Sequence, residues 1–243
     1  MEKEIYALQY KVEKDHWWFV ARLRIFLRYL DVKMPASPSA KLLDVGCGTG
    51  AVAEALAERY DAHGIDSSPD AVAFCRERGL ANMNVGLLAD VSESGSFDMR
   101  TFFDVMEHVA DDARLLRDAH RLLKPGGSVL ITVPAFPSLW SRHDEVLHHQ
   151  RRYTRSHLRS LVQGAGFQIR HLTFFNTLLF PVAVVRRSVA KLSGSSAGND
   201  LQIPGRIVNT ALRTIFAAER HVLPYISLPF GLSLLCWGEK RSS

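Results

Sequence analysis

Three glycines at alternate positions, Gly46, Gly48 and Gly50, close the apolar run Lys41-Leu42-Leu43-Asp44-Val45 and precede a helix opening at Ala51. Glycine takes positive φ without steric penalty, so such a turn can aim its N–H groups at a ligand, and the helix start adds a positive end. A nucleoside or an anionic group suits it. A second strand-like run, Asp61-Ala62-His63-Gly64-Ile65, ends in Asp66. In an open α/β sheet an acid at that tip lies beside the glycine turn, where it can accept both hydroxyls of a ribose. Gly46-x-Gly48-x-x-Ala51 also fits the dinucleotide fingerprint, which makes a nicotinamide cofactor the rival ligand.

A second group of reactive side chains follows. Asp104, Glu107 and His108 stand at i, i+3 and i+4, and they share one face if the chain turns helical at Asp104. The stretch 134–153 then carries His143, His148, His149 and Arg151-Arg152-Tyr153. A lone histidine is more often structural, but several in one loop and its neighbouring helix make His108 or His143 the expected base for an oxygen nucleophile. The arginine pair could grip an anionic substrate or simply salt-bridge at a helix start.

The elements that must hold these groups alternate strand and helix. Apolar runs at 41–45, 61–65, 84–88, 128–133, 167–174 and 232–239 predict strands, with a helix or a loop between each pair; the fourth strand in chain order reads as two pieces, a start at Phe97-Asp98 and a body at Thr101-Phe102-Phe103-Asp104-Val105. The fold class expected is α/β: a Rossmann-like, seven-stranded, mostly parallel sheet with an antiparallel last strand. Residues 1–38 read as an N-terminal helical cap, helical over 3–30, and 39–175 as the core sheet. Residues 176–230 read as a helical insertion before the last strand at 231–243. Helices are expected at 106–123, 154–164, 177–192 and 204–223, a turn at 123–127, and a flexible stretch at 193–200. The insertion could be a lid over an apolar substrate, a dimer surface or plain core, or an amphipathic element on a membrane, although Pro181 argues against a smooth interfacial helix.

The glycine segment resembles motif I of the class I S-adenosylmethionine (SAM) methyltransferases, of the type-11-like group. Asp66, Leu88-Ala89-Asp90, Phe103-Asp104-Val105-Met106-Glu107-His108-Val109 and Leu123-Lys124-Pro125-Gly126-Gly127 follow in that family's order. The resemblance implies a SAM-dependent methyltransferase, with the cofactor held by Trp18, Arg22, Asp44, Gly46, Cys47, Gly48, Gly50, Asp66, Ser67, Asp90, Val91 and Asp104. Asp90 would take the adenine amino group, and Trp18 and Arg22 would cap the methionine end, Arg22 forking its carboxylate. Glu107, His108 and His143 are the catalytic candidates. Acid-x-x-Glu-His also resembles the metal-binding segment of ubiquinone-biosynthesis O-methyltransferases and small-RNA 2′-O-methyltransferases. That implies a divalent metal on Asp104, Glu107 and His108, with a fourth ligand from His143, His148 or His149. The same Glu-His lines the pocket in family members that use no metal.

Charge narrows the acceptor. The net charge of +5 divides unevenly, because residues 151–243 carry 13 Lys/Arg against 3 Asp/Glu. A basic C-terminal third permits contact with phosphate, nucleic acid or an anionic membrane. No RNA-binding module is visible, so nucleic acid is not the expected partner. The acceptor expected is a hydroxyl, or similar nucleophile, on a small and partly lipid-like molecule. An RNA-modifying enzyme and a non-catalytic SAM-binding protein are the alternatives, and a homodimer is compatible with either. Three scattered cysteines, a charged N-terminus and no bilayer-length apolar run make a cytoplasmic location the expectation.

Overall fold

Seven apolar runs form strands: β1 (Ser37–Val45), β2 (Tyr60–Asp66), β3 (Met83–Val85), β4 (Phe97–Phe103), β5 (Leu123–Pro134), β6 (Phe167–Phe175) and β7 (Ser233–Lys240). Nine helices lie around them among the described residues: α1 (Lys3–Val12), α2 (Trp17–Lys33), α3 (Ala51–Ala57), α4 (Pro69–Glu77), α5 (Asp112–Leu122), α6 (Arg142–Val146), α7 (Arg155–Gly164), α8 (Phe180–Ser193) and α9 (Arg206–Ala218). The structure, a computed structural model, describes residues 3–92, 94–193 and 201–242, without the side chains of His143 and residues 187–193. The stretch expected to be flexible, at 193–200, lies outside the described residues beyond its first position.

The sheet order is β3-β2-β1-β4-β5-β7-β6. Every strand pair is parallel except those of β7, which runs antiparallel between β5 and β6. The expected Rossmann-like topology is thus present, and the strand order reverses between β1 and β4. Ligands of open α/β sheets bind outside the carboxyl ends of the strands at such a point.

Local chemistry starts the helices where they start. Ser68 Oγ accepts from the Ala71 N–H ahead of Pro69, Asp111 Oδ1 from Arg114, and Thr154 Oγ1 from His157. One face of the sheet buries Leu116, Leu122, Leu158 and Val162 of α5 and α7. The other buries Phe26, Tyr29 and Leu30 of α2 with Phe216 of α9, each fully. Each such side chain contributes about 1.5–3 kcal/mol by leaving water.

Several boundaries differ from the sequence expectation. The N-terminal helix divides at residues 13–16, where the His16 side chain caps α2 by accepting from the Trp18 N–H. The helix expected over 106–123 is a single 3₁₀ turn, Met106–His108, separated from α5. Residues 123–127 are not a free turn but the first part of β5, whose register slips against β4 between Phe97 and Met99; a bulge absorbs the Pro-Gly-Gly. Within 176–230, α9 is part of the core. Asn209 accepts from the Trp17 N–H and donates to the Asp15 carbonyl, while Trp17 meets Phe216 edge-on. The buried carboxylate of Glu219 accepts from the N–H groups of Asn176, Thr177 and Leu178, which fixes the turn out of β6. Pro181 falls in the first turn of α8, where no intrahelical donor is needed, so it does not break the helix.

Arg100 is the anomaly of the core. It sits fully buried on β4 between Leu43 and Val129, above the Phe97 ring at 4.5 Å. None of its guanidinium nitrogens has a hydrogen-bond partner. Burial, with Arg121 nearby, pushes its pKa down to about 9. A buried charge without partners is destabilising. Arg100→Met is therefore expected to stabilise the protein by about 1–3 kcal/mol. Chemical denaturation checks this, and a lower midpoint in the variant would contradict it.

Candidate active site

The glycine turn leaves β1 and folds back over β2. The N–H groups of Gly46 and Cys47 donate to the Ile65 carbonyl at 2.7 and 3.2 Å. Gly46 has φ +71°, and a Cβ there would stand 2.5 Å from Val105 after β4, so glycine is needed twice over. The Gly48 N–H donates to Asp66 Oδ2 and the Ser68 N–H to Oδ1, both at 2.9 Å. Asp66 is thereby pinned between two turns. Cys47, by contrast, turns its side chain into the interior, with its sulfur 4.0 Å from that of Cys75. Only its backbone faces the turn.

Around this turn converge the carboxylates that end three strands. Asp44 is buried and accepts from Thr101 Oγ1 at 2.6 Å. Burial pushes its carboxyl up to about 7, partly offset by that bond and by Arg22. Asp104, at φ +58°, accepts from Thr132 Oγ1 and pairs with Arg22. The Arg22 guanidinium lies over the Trp18 ring at 4.1 Å. The consecutive tryptophans part company: Trp17 turns to α9, and Trp18 to this crevice. Ser67 is exposed at the tip of β2. Asp90, also exposed, accepts from the Leu87 N–H at 3.1 Å, and Val91 beside it is half-buried.

Sequence reasoning missed a bracket that ties α1 to the turn. Thr49 Oγ1 donates to buried Glu13 at 2.7 Å, and Arg78 spans from Glu13 to the Thr49 carbonyl. Tyr6 is buried beside Asp66 and Ser68, its phenol pushed up to about 12 mainly by burial. The one available signal was a pair of polar residues four apart, Gln9 in α1 and Glu13 just after it, amid apolar spacing.

The second cluster faces the loop after β5. Because Asp104 takes a left-handed backbone and only a single 3₁₀ turn follows it, the i, i+3, i+4 argument fails. Asp104 goes to Arg22, while one ligand atom each of Glu107, His108 and His149 lie within 4.8 Å of one another. The His108 and His149 rings meet edge-on at 4.7 Å. Burial, then His149, pushes the His108 imidazole down to about 4, so it is neutral at pH 7. Burial, then Asp104, raises Glu107 well above the usual carboxylate range, and its Oε2 has no hydrogen-bond partner.

Asp144 orients this group. It meets His149 Nδ1 at 2.9 Å, accepts from Arg152 Nε at 2.8 Å and from the Ser141 N–H. Burial opposes its ionisation, but His149 and Arg152 outweigh that and hold its carboxyl well below the usual range. Arg152 is buried in this pair, Arg151 bridges to Asp112 at 2.8 Å, and the Tyr153 hydroxyl donates to Asp112. The Arg151-Arg152-Tyr153 run therefore builds the loop, and the anion-gripping alternative does not hold. The side chain of His143 lies outside the described residues.

Residues 19–172 match the methyltransferase domain family. The chain belongs to that family. The curated relatives of this chain include the ubiquinone biosynthesis O-methyltransferase of Methylococcus capsulatus, 44% identical over 101 residues, which covers 38% of this chain and 42% of that one. An uncharacterised 37.1 kDa protein in transposon TN4556 of Streptomyces fradiae is 33% identical over 206 residues, 80% of this chain and 57% of that protein. The chain thus spans about half the length of the curated relatives it matches. Among solved structures, the complex between the Haloferax volcanii Trm112 methyltransferase activator and a methyltransferase matches with a TM-score of 0.63 at 20% identity, covering 99% and 96% of the two chains. Phosphoethanolamine N-methyltransferase 2 of Haemonchus contortus, with SAM bound, matches at 0.59 and 20%, over 88% of this chain and 52% of that one. These likenesses show the fold, which is that of the class I SAM-dependent methyltransferases.

Proposed function

We propose that the protein transfers the methyl group of SAM to a hydroxyl on a small, partly apolar acceptor. The observation that carries the hydroxyl is Glu107, a buried carboxylate of raised basicity with an unpartnered oxygen beside neutral His108. In this reading Asp66 takes the ribose hydroxyls, Arg22 the methionine carboxylate and Asp44 the ammonium. Asp90 and Val91 border the adenine. The Glu107 carboxylate removes the acceptor proton as the oxygen forms its bond to the methyl carbon. The carbon–sulfur pair returns to sulfur, leaving S-adenosylhomocysteine. Proximity and alignment supply much of the rate, since the cofactor brings its own electrophile.

The same residues fit a divalent ion. An orphaned buried carboxylate oxygen, a neutral imidazole, and His149 held at Nδ1 by a second carboxylate are the donor set such an ion uses. Glu107, His108 and His149 would hold it, and when bound it lowers the pKa of a ligated hydroxyl. Asp104 is not in this set.

Asp44 supplies a pH test. An ammonium placed beside it favours the ionised form, so cofactor binding lowers a pKa that stands at about 7 in the free protein. Binding is then expected to release protons near neutral pH, and affinity to rise as pH climbs through that range. Calorimetry in buffers of different protonation enthalpy reads the proton release, which should vanish in Asp44→Asn. Equal release in both would contradict this role.

Label from methyl-labelled SAM is expected in the small-molecule fraction of an organic extract. Label in RNA would contradict the acceptor class. S-adenosylhomocysteine binding without turnover on any acceptor, with divalent ions present or chelated, would mean a cofactor-binding protein without catalysis.

A further inference from the structure

β6 forms one edge of the sheet and ends at the same side as the glycine turn, so α8, which follows it, starts on that side of the sheet, next to the loop after β5. Phe180 at its foot lies 5.7 Å from Phe136 in the loop after β5 and 5.4 Å from Phe230. Beyond the foot the helix does not go inward. None of its described side chains is buried, and Val182 and Val185 are 64% and 63% exposed. The edge of β6 continues the strip: Leu228 bridges to Phe174, and Tyr225, Ile226 and Phe230 around it are exposed. An exposed apolar strip of this extent marks an interaction surface.

Charge says what covers it. The α8 sequence, Phe-Pro-Val-Ala-Val-Val-Arg-Arg-Ser-Val-Ala-Lys-Leu-Ser, holds three cations and no acid. It lies in a C-terminal third with 13 Lys/Arg against 3 Asp/Glu. Exposed valines in a segment whose sequence holds cations and no carboxylate match an anionic bilayer, where apolar side chains enter the acyl boundary and cations meet the headgroups. Two like-charged copies of this strip would repel each other. No helix among the described residues is long and apolar enough to cross the membrane, so the contact is with its surface.

We propose that α8 and the adjoining β6 edge dock the protein on an anionic lipid surface, with the mouth of the crevice facing the bilayer. Delivery of a membrane-resident acceptor past Phe136 then follows, and that clause alone rests on the proposed function. The docking itself is read without cofactor or acceptor, so it can fail while methyl transfer stands, and the reverse.

The test is flotation of the full chain with vesicles of phosphatidylcholine plus phosphatidylglycerol, and of phosphatidylcholine alone, at low and high salt. Binding is expected to the anionic vesicles and to fall at least about tenfold on neutral ones, at high salt, and in Val182→Asp/Val185→Asp. Calorimetric binding of S-adenosylhomocysteine should be unchanged in that double variant, which shows that it is folded. Absence of binding to any vesicle, equal binding by wild type and variant, or a wild-type dimer that the variant converts to monomer would each overturn the proposal.

Discussion

Arg22→Ala is expected to weaken S-adenosylhomocysteine binding by about 2–4 kcal/mol, on the order of 30- to 1,000-fold. Arg22 is a cation set among Asp44, Asp104 and Glu107, and its guanidinium lies over the Trp18 ring. In the proposed reading, removing it takes away the donors for the cofactor's carboxylate. It also leaves an anionic crevice that repels that carboxylate, so the loss exceeds that of one neutral hydrogen bond. Arg22→Lys should recover only part, because an ammonium has neither the planar stack nor the fork. Calorimetry on both variants, with thermal melts to show that each is folded, separates the two terms. An affinity within twofold of wild type in Arg22→Ala would remove the arginine from the cofactor site.

Glu107→Gln is expected to lower kcat by about 10²–10⁴-fold, with cofactor affinity nearly intact. The glutamine keeps the shape and burial but cannot take a proton. As the proposed base, Glu107 must be ionised to act, and burial raises its pKa. The rate should therefore climb with pH to a plateau above the ordinary carboxylate range, and the variant's residual rate should lose that limb. A variant with wild-type kcat, or with the same pH profile, would exclude Glu107 as the base. His108 is the poorer base because its conjugate acid, at about 4, is too strong to hold a proton at neutral pH.

The glycine turn and its acid were readable along the chain because the parts are local. A strand, three glycines and a helix follow one another between residues 41 and 57, and an acid at the next strand tip needs only standard topology to reach them. The second cluster, Glu107, His108 and His149, was harder. Three histidines, at 143, 148 and 149, look equivalent in sequence, and only the fold of the loop shows that Asp144 and Arg152 fix His149 against His108. Asp104 was misread because a left-handed residue cannot be told from a helix start by spacing. Arg100 gives no warning at all: an arginine in a strand that also carries Asp98 and Thr101 reads as an edge or a surface position, yet β4 is central. Nor does the insertion's pattern show that α9 packs on α2 while α8 does not pack inward.

The claim that everything else depends on is that a sulfonium nucleoside occupies the crevice between β1 and β4, with its ribose on Asp66. Calorimetric titration of S-adenosylhomocysteine into wild type and Asp66→Ala tests it most directly. One site is expected in the wild type, weakened by about 1–3 kcal/mol in the variant through lost charge-assisted hydrogen bonds. Equal affinity in the two proteins, or heat from a nicotinamide dinucleotide and none from S-adenosylhomocysteine, would contradict it.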